Sequence, residues 1–181
     1  MKKFTKLLCL LLVLCITTLG VAGCSGNKPA DSSLQSDAST PPVDVPPDTM
    51  VLKMATSSDM APYVYKQDSK LTGIDIEVAE AIAAELGCTL EFINTDPASI
   101  TGLVQDGSAD FGMGRLAVTE EESLNVNFTA SYITDSASGE AYSIAVKKGS
   151  SLLLDKINVA IETLKSNGTI DKIAAKHEAG Q

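Results

Sequence analysis

Strand-like and helix-like segments alternate along residues 51–114, and this alternation constrains the fold more than any other feature of the sequence. The strands are expected at Val51–Ala55, Thr89–Ile93 and Ala109–Gly114, and the helices at about Asp75–Leu86 and Ala98–Asp106. Gly87 and Gly107 follow the two helices directly, where a left-handed residue commonly ends a helix. The order strand, helix, strand, helix, strand implies parallel pairing with right-handed crossovers. Ligands of such sheets bind beyond the carboxyl ends of the strands.

The remaining elements are predicted from shorter patterns. Asp75 is expected to be the N-cap of the first helix, and the lone histidine, His177, to be a solvated side chain in the last turn of the last helix. The other expected elements are a short extended piece at Tyr63–Tyr65, a polar loop at Lys66–Lys70, strands at Asn127–Ile133 and Ala141–Val146 joined by the turn Thr134–Glu140, and helices at Leu152–Asn167 and Thr169–His177.

The amino-terminal segment has the pattern of an export signal. Lysines at the start precede an apolar run, Leu7–Leu19, that is too short to span a bilayer as a helix. The next residues, Val21-Ala22-Gly23-Cys24, resemble a bacterial lipobox, in which the cysteine thiol receives a lipid and becomes the mature amino terminus. The alternative is an ordinary secretory signal that happens to contain a cysteine. We predict a lipoprotein signal peptide at residues 1–23, with Cys24 as the lipid anchor.

Composition divides the rest of the chain into a tether and one domain. Residues 24–49 are rich in Ser, Asp and Pro and cannot bury a core, so we predict a disordered linker. Residues 50–181 have the length of one ordinary domain, with Cys88 as their lone cysteine, expected to be a small buried hydrophobe. The formal net charge of −9 makes nucleic acid an unsuitable partner.

Three stretches resemble the polar amino-acid family of ABC-transporter solute-binding proteins. They are LTGIDIEVAEAIAAELGCTLEF at residues 71–92, DGSADFGMGRLAVTEEE at residues 106–122, and the segment at residues 142–177 that begins YSIAVKKG. The resemblance implies an α/β fold, a single lobe of a type II periplasmic binding protein with a central, mostly parallel sheet flanked by helices. The second lobe of the family would be missing between about residues 134 and 140, where a short turn takes its place.

The family holds its ligand carboxylate with an arginine in a Thr-x-x-Arg motif, because a guanidinium fork donates two parallel hydrogen bonds. Here the motif begins at Thr119 and has Glu122 at the arginine position. A capping box at the start of a helix is the structural alternative, with Thr119 still able to contact a ligand. Arg115 stands where the family has a small residue and would either supply the missing cation or be solvated or ion-paired. Ala117 replaces a residue that is often hydroxylated.

The resemblance also assigns the loop at Asp59–Tyr63 to the ligand site. Asp59 would bind a ligand amine or accept hydrogen bonds within its own turn. Met60 falls where the family often has an aromatic ring. Tyr63 would contact the ligand or belong to the packing beneath it. The predicted ligand-binding residues are therefore Asp59, Met60, Tyr63, Arg115, Ala117 and Thr119.

The sequence gives little support to catalysis. No Ser-His-Asp or Cys-His set can be assembled around the one histidine, and no metal-ligand spacing or complete phosphate loop is present, so we expect no enzyme, metal or cofactor. The implied function is a membrane-anchored, extracytoplasmic solute-binding lipoprotein with weak or lost ligand binding. Its expected partners are a small polar solute such as an amino acid, an ABC permease, and the membrane through its lipid. The alternative is a docking protein that uses the exposed cleft face near Met60, Tyr63 and Leu116.

Overall fold

A computed structural model describes residues 50–179 of the 181-residue chain. The predicted signal peptide and linker lie outside the described residues. The strands are β1 (Val51–Thr56), β2 (Tyr65–Gln67), β3 (Lys70–Thr72), β4 (Thr89–Asn94), β5 (Phe111–Gly112), β6 (Val126–Phe128), β7 (Ile133–Thr134), β8 (Ala141–Tyr142) and β9 (Ala145–Lys147). The helices are α1 (Ile74–Leu86), α2 (Ile100–Asp106, preceded by a 3-10 turn at Pro97–Ser99), α3 (Glu120–Ser123), α4 (Ser151–Ser166) and α5 (Thr169–Glu178). None of the helices between residues 50 and 179 combines the length and the apolar composition that a membrane-spanning helix needs.

Five strands form the central sheet, in the order β4-β1-β5-β9-β6. β1 pairs in parallel with β4 and β5, whereas β9 runs antiparallel to both β5 and β6. In this sheet β4, β1, β5 and β6 therefore point the same way, and β9 is reversed. The predicted α/β architecture with a mostly parallel sheet is confirmed. Helices α1 and α2 are the crossovers that connect the parallel strands.

Side chains of β1 alternate between two apolar clusters because successive residues of a strand face opposite sides. Met54 belongs to the larger cluster, together with Ile82 of α1 and Ile161 of α4. Ala55 belongs to the smaller cluster, together with Val104 of α2. The sheet is thus covered by helices on both faces, and the carboxyl ends of β1 and β5 lie at one edge of a rigid layer.

The predicted N-cap role of Asp75 is wrong. Helix α1 begins at Ile74 with Gly73 at the N-cap position, and Asp75 lies fully buried in the first turn. Backbone carbonyls satisfy the first amides instead, since Ile74 N donates to Pro62 O at 3.1 Å and Asp75 N donates to Tyr63 O at 2.9 Å. Gly73 permits this close approach, because a Cβ there would lie 2.2 Å from Tyr63 O. The Asp75 carboxylate is therefore free to turn inward.

The predicted loop at Lys66–Lys70 is a β-hairpin. β2 and β3 pair antiparallel, with Tyr65 opposite Thr72 and Gln67 opposite Lys70. Asp68 and Ser69 form the turn in the left-handed region, at φ 50° and 66°. The turn geometry suits a two-residue hairpin, but the sequence lacks the glycine that usually marks one.

The two strands predicted around the turn at residues 134–140 are each split in two. β6 and β9 complete the central sheet, whereas β7 and β8 form a separate two-stranded ribbon in which Ile133 lies opposite Tyr142. Asp135 organises the connecting turn, because its Oδ1 accepts hydrogen bonds from the amides of Ala137 and Ser138 at 3.0 and 2.7 Å. The two strands that flank the turn therefore lie side by side.

The predicted solvent exposure of His177 is wrong. His177 is 6% exposed, and its ring nitrogens contact Tyr65 Oη at 3.2 Å and Glu77 Oε1 at 2.9 Å. Lys176 Nζ lies 2.6 Å from the same carboxylate oxygen. Burial raises the pKa of Glu77, but its hydrogen bonds to Lys176 and His177 outweigh that effect and leave the pKa lowered. His177 is buried because α5 packs against α1 and the β2–β3 hairpin, a tertiary contact that the local sequence does not show.

Candidate functional site

A cleft of about 480 Å³ opens beyond the carboxyl end of β5, between the loops that sheet topology makes the expected place for a ligand. Met60, Arg115, Ala117 and Thr119 line it, and these are four of the six predicted ligand-binding residues. Glu140 and Tyr142 also line the cleft, and the sequence did not assign either of them to the site. Glu122, at the arginine position of the family motif, lines it as well.

The other two predicted residues do not line the cleft. Asp59 is exposed and accepts a hydrogen bond from Ser58 Oγ at 3.4 Å. Tyr63 is 2% exposed, and its ring meets the Tyr142 ring edge-to-face with centroids 5.3 Å apart. Tyr63 therefore belongs to the packing beneath the cleft, which was the alternative to a direct contact.

Arg115 is the most distinctive side chain of the cleft wall. Its Nε and Nη2 both donate to Tyr142 Oη, at 3.1 and 2.8 Å. Its Cζ lies 5.3 Å from the ring centroids of both Tyr63 and Tyr142, within the range of a cation–π interaction. The hydrogen bond to Tyr142 is the largest cause of a raised pKa at Arg115, so the guanidinium stays charged. Two aromatic rings thus hold a permanent cation at the edge of the cleft.

The hairpin formed by β7 and β8 orients both rings through carboxylates. Tyr63 Oη donates to Asp135 Oδ2 at 2.8 Å, and Tyr142 Oη donates to Glu140 Oε2 at 3.1 Å. Backbone hydrogen bonding from Ser138, followed by the bond from Tyr63, lowers the pKa of Asp135 to about 2. The short turn at residues 134–140 therefore builds part of the site, which no local sequence pattern indicates.

A buried carboxylate supports the Arg115 loop from below. Asp75 is 0% exposed, and its Oδ1 accepts a hydrogen bond from Tyr132 Oη at 2.5 Å. Its Oδ2 accepts from the Arg115 amide at 3.4 Å. Burial raises the pKa of Asp75 to about 6, although the bonds from Tyr132 and Arg115 oppose the shift. Arg115 itself has φ 51°, in the left-handed region that residues with a Cβ rarely adopt.

Thr119 and Glu122 form part of the predicted capping box. Thr119 is the N-cap of α3, and its Oγ1 accepts a hydrogen bond from the Glu122 amide at 3.2 Å. The two side chains also bond directly, with Thr119 Oγ1 and Glu122 Oε2 3.2 Å apart. Glu122 lines the cleft as well, so a negative charge lies where the family motif would have its arginine.

The approach of two loops at the cleft floor depends on one glycine. Gly114 has φ 155°, and a Cβ there would lie 2.6 Å from Met60 Cε and 2.7 Å from Ile100 Cδ1. Any larger residue would push Met60 away from the cleft. The Met60 side chain therefore lies against the backbone that leads into Arg115.

Comparison with known proteins identifies the class of this fold and site. A profile of the bacterial extracellular solute-binding proteins, family 3, matches residues 52–180. The probable histidine-binding protein of Campylobacter jejuni is 30% identical over 132 residues, which are 73% of this chain and 46% of that protein. The chain thus spans about half the length of the curated relatives it matches.

Solved structures support the same fold. An ancestral arginine-binding protein bound to arginine superimposes with a TM-score of 0.66 and 24% identity, over 70% of this chain and 97% of that chain. The arginine-bound form of domain 1 from TmArgBP superimposes with a TM-score of 0.59 and 26% identity, over 63% of this chain and 93% of that chain. The lobe is that of a type II periplasmic binding protein.

The chain belongs to the bacterial extracellular solute-binding proteins, family 3. This is the polar amino-acid solute-binding family that the sequence resembles, so the family prediction is confirmed. The members of this family are binding proteins, and membership implies an extracytoplasmic location.

Proposed function

We propose that this chain is a lipid-anchored, non-catalytic solute-binding protein of an amino-acid ABC transporter, reduced to one lobe that holds a carboxylate-bearing solute weakly at Arg115. The missing second lobe would have stood between about residues 134 and 140. Of the predicted ligand-binding residues, Met60, Ala117 and Thr119 would form the cleft wall around the solute, and Asp59 would lie at its margin.

The observation that carries the proposal is the unpaired guanidinium at the cleft. An arginine has five N–H donors, and only Nε and Nη2 of Arg115 bond to Tyr142 Oη. Among residues 50–179, no carboxylate oxygen lies within 4.0 Å of the Arg115 guanidinium. The donors that remain suit a carboxylate, which a planar guanidinium recognises through paired, charge-assisted hydrogen bonds.

Two features favour weak affinity. Glu122 places a negative charge on the same cleft wall and repels a solute carboxylate. A lone lobe also supplies only one side of a site that two lobes would enclose, so an affinity near micromolar, about −8 kcal/mol, is expected to fall toward millimolar. Binding by one domain has a precedent, since domain 1 of TmArgBP is described in an arginine-bound form.

The membrane anchor rests on the lipobox-like segment ending at Cys24, which lies outside the described residues. Replacing Cys24 with serine in the full chain is expected to abolish incorporation of radiolabelled palmitate and to release the protein from the membrane fraction. Unchanged labelling would contradict the anchor. The same anchor would hold the lobe beside a permease.

A matched pair of small molecules tests the solute proposal. L-arginine and agmatine share the guanidinium, but agmatine lacks the carboxylate. Calorimetric titration of the chain from Ser25, which lacks the signal peptide and the lipid-bearing cysteine, is expected to detect one weak site for L-arginine and none for agmatine. Arg115→Ala is expected to remove that site, whereas Lys147→Ala, which changes a cation away from the cleft, is expected to keep it. Equal binding of agmatine would refute the role of Arg115 as a carboxylate anchor.

Docking of a partner on the cleft face is the second candidate function. Val118 and Leu124 flank α3 and are 55% and 75% exposed, so two large apolar side chains lie on the surface beside this helix. Tyr63 and Leu116, which the sequence offered for this face, are 2% and 9% exposed and contribute little surface. Sedimentation at increasing concentration tests self-association, and a single monomeric species throughout would leave docking of a second copy unsupported.

A further inference from the structure

We infer that Asp75, supported by Tyr132, positions Arg115 for solute binding and makes that binding depend on pH. The inference rests on the proposed function, since it concerns the loop that carries the solute-binding arginine. Its structural basis is a fully buried carboxylate in the first turn of α1 whose two oxygens contact two different elements. Tyr132 lies between β6 and β7, and Arg115 lies in the loop after β5.

The Asp75 carboxylate provides an acceptor for a strained backbone. Arg115 has φ 51°, a conformation that is unfavourable for a residue with a Cβ. Its amide donates to Asp75 Oδ2 at 3.4 Å, so the ionised carboxylate stabilises this conformation with an additional attraction for the donor. The side chain above it is then directed onto Tyr142. Asp75 does not itself line the cleft, so it would act on the solute through Arg115.

The surroundings of Asp75 determine where a proton would go. The titratable groups that face it are Tyr132 from the β6–β7 segment, Arg115 from the loop after β5, and Tyr63 from the loop before β2. Burial raises the pKa of Tyr132 well above its usual value, so Tyr132 keeps its proton and donates to Asp75 Oδ1. Because Oδ1 accepts that short bond, a proton gained by Asp75 is expected on Oδ2, which faces the Arg115 amide.

Protonation of Oδ2 would place its new O–H opposite the N–H of Arg115, so that two hydrogen-bond donors face each other. The Arg115 amide then loses its acceptor, the loop loosens, and solute affinity falls as the pH is lowered. Simple charge repulsion of the solute carboxylate held at Arg115 predicts the opposite, since removing a negative charge beneath the cleft favours that carboxylate. The sign of the pH dependence therefore separates positioning from repulsion.

Nuclear magnetic resonance of the same unlipidated chain from Ser25 provides the test. Arg115 is the one arginine in the sequence, so its Nε–H signal is unambiguous. Without solute, the Asp75 carboxyl carbon and the Arg115 amide and Nε signals are expected to titrate together with a midpoint of about 6. With L-arginine as the probe, the dissociation constant is expected to be at least about threefold higher below that midpoint than above it, which is the effect of losing one weak hydrogen bond.

Three variants complete the test. Asp75→Asn is expected to abolish the transition at Arg115 and to weaken L-arginine binding at neutral pH. Tyr132→Phe removes a hydrogen bond that lowers the Asp75 pKa, so the midpoint is expected to move upward by about one pH unit. Glu91→Gln changes an exposed acid on β4 and is expected to alter neither signal.

The positioning role is overturned if Asp75 titrates while the Arg115 signals stay constant, or if affinity rises on acidification. Absence of L-arginine binding at every pH sinks the proposed function and the pH dependence of binding. The solute-free titration then decides the positioning role alone.

Discussion

Reversing the charge at Glu122 is expected to strengthen solute binding strongly. Two unit charges at ~4 Å interact by about 1 kcal/mol in water and about 4 kcal/mol near a protein surface. The cleft is open, so the lower figure applies, and Glu122→Arg removes one repulsion and adds one attraction. With about 1 kcal/mol for a new hydrogen bond, the gain is about 3 kcal/mol, on the order of a hundredfold in the dissociation constant for L-arginine.

Calorimetric titration of the Glu122→Arg variant measures this gain directly. Glu121→Arg is the matched control, because it makes the same change of net charge on the neighbouring residue of α3, which does not line the cleft. The control is expected to change binding by about threefold at most, because residue 121 does not line the cleft and solvent screens its charge from the solute. An equal improvement in both variants would refute the argument, since it would show that net charge and not the position of residue 122 governs affinity.

The other predictions concern stability. Burial raises the folded pKa of Asp75 from 3.8 to about 6, so the proton-bound form stabilises the fold below pH 3.8 and this stability is lost as the pH rises through 6. The free energy of unfolding in urea is measured for the unsubstituted chain and for Asp75→Asn, and the difference between them is expected to fall by about 3 kcal/mol as the pH rises from below 3.8 to above 6. A difference that does not change with pH would contradict the assignment. His177→Ala is expected to cost about 2–3 kcal/mol, because Glu77 and Tyr65 both lose a partner at a buried contact. Lys176→Ala is expected to cost clearly less than His177→Ala, since that ion pair is exposed to solvent, and an equal loss in the two variants would be inconsistent with this account.

Local patterns in the sequence were sufficient for much of the fold. The alternation of apolar runs located β1, α1, β4 and α2, and the glycines Gly87 and Gly107 lie at the left-handed helix ends where they were expected. These features depend on residues close together in the chain, which is why a single sequence reveals them. The β2–β3 hairpin was missed because its turn, Asp68-Ser69, adopts left-handed conformations without a glycine.

The site was predicted less completely because its contacts join distant segments. The loop positions of Met60, Arg115, Ala117 and Thr119 followed from topology and resemblance, and all four line the cleft. The contact between Arg115 and Tyr142 has no local signature. Tyr142 lies 27 residues from Arg115 along the chain.

The buried positions of Asp75 and His177 were misjudged for a related reason. Each has a helix-terminal pattern that usually indicates solvent exposure, as N-cap or last-turn residues do. Packing of α1 against the β6–β7 segment, and of α5 against α1, overrides that local preference. Charged residues at helix ends thus located the helix ends to within about two residues, whereas the environments predicted for their side chains were wrong.

The central claim is that this lone lobe holds a solute carboxylate at Arg115. The most direct measurement follows the Nε–H signal of Arg115 in the isotope-labelled chain from Ser25 while L-arginine is added. The added L-arginine carries no label at its own Nε, so only the Arg115 signal is observed. The account predicts a saturable shift of the Arg115 signal with a dissociation constant in the millimolar range. Binding with micromolar affinity that leaves the Arg115 signal unmoved would contradict it.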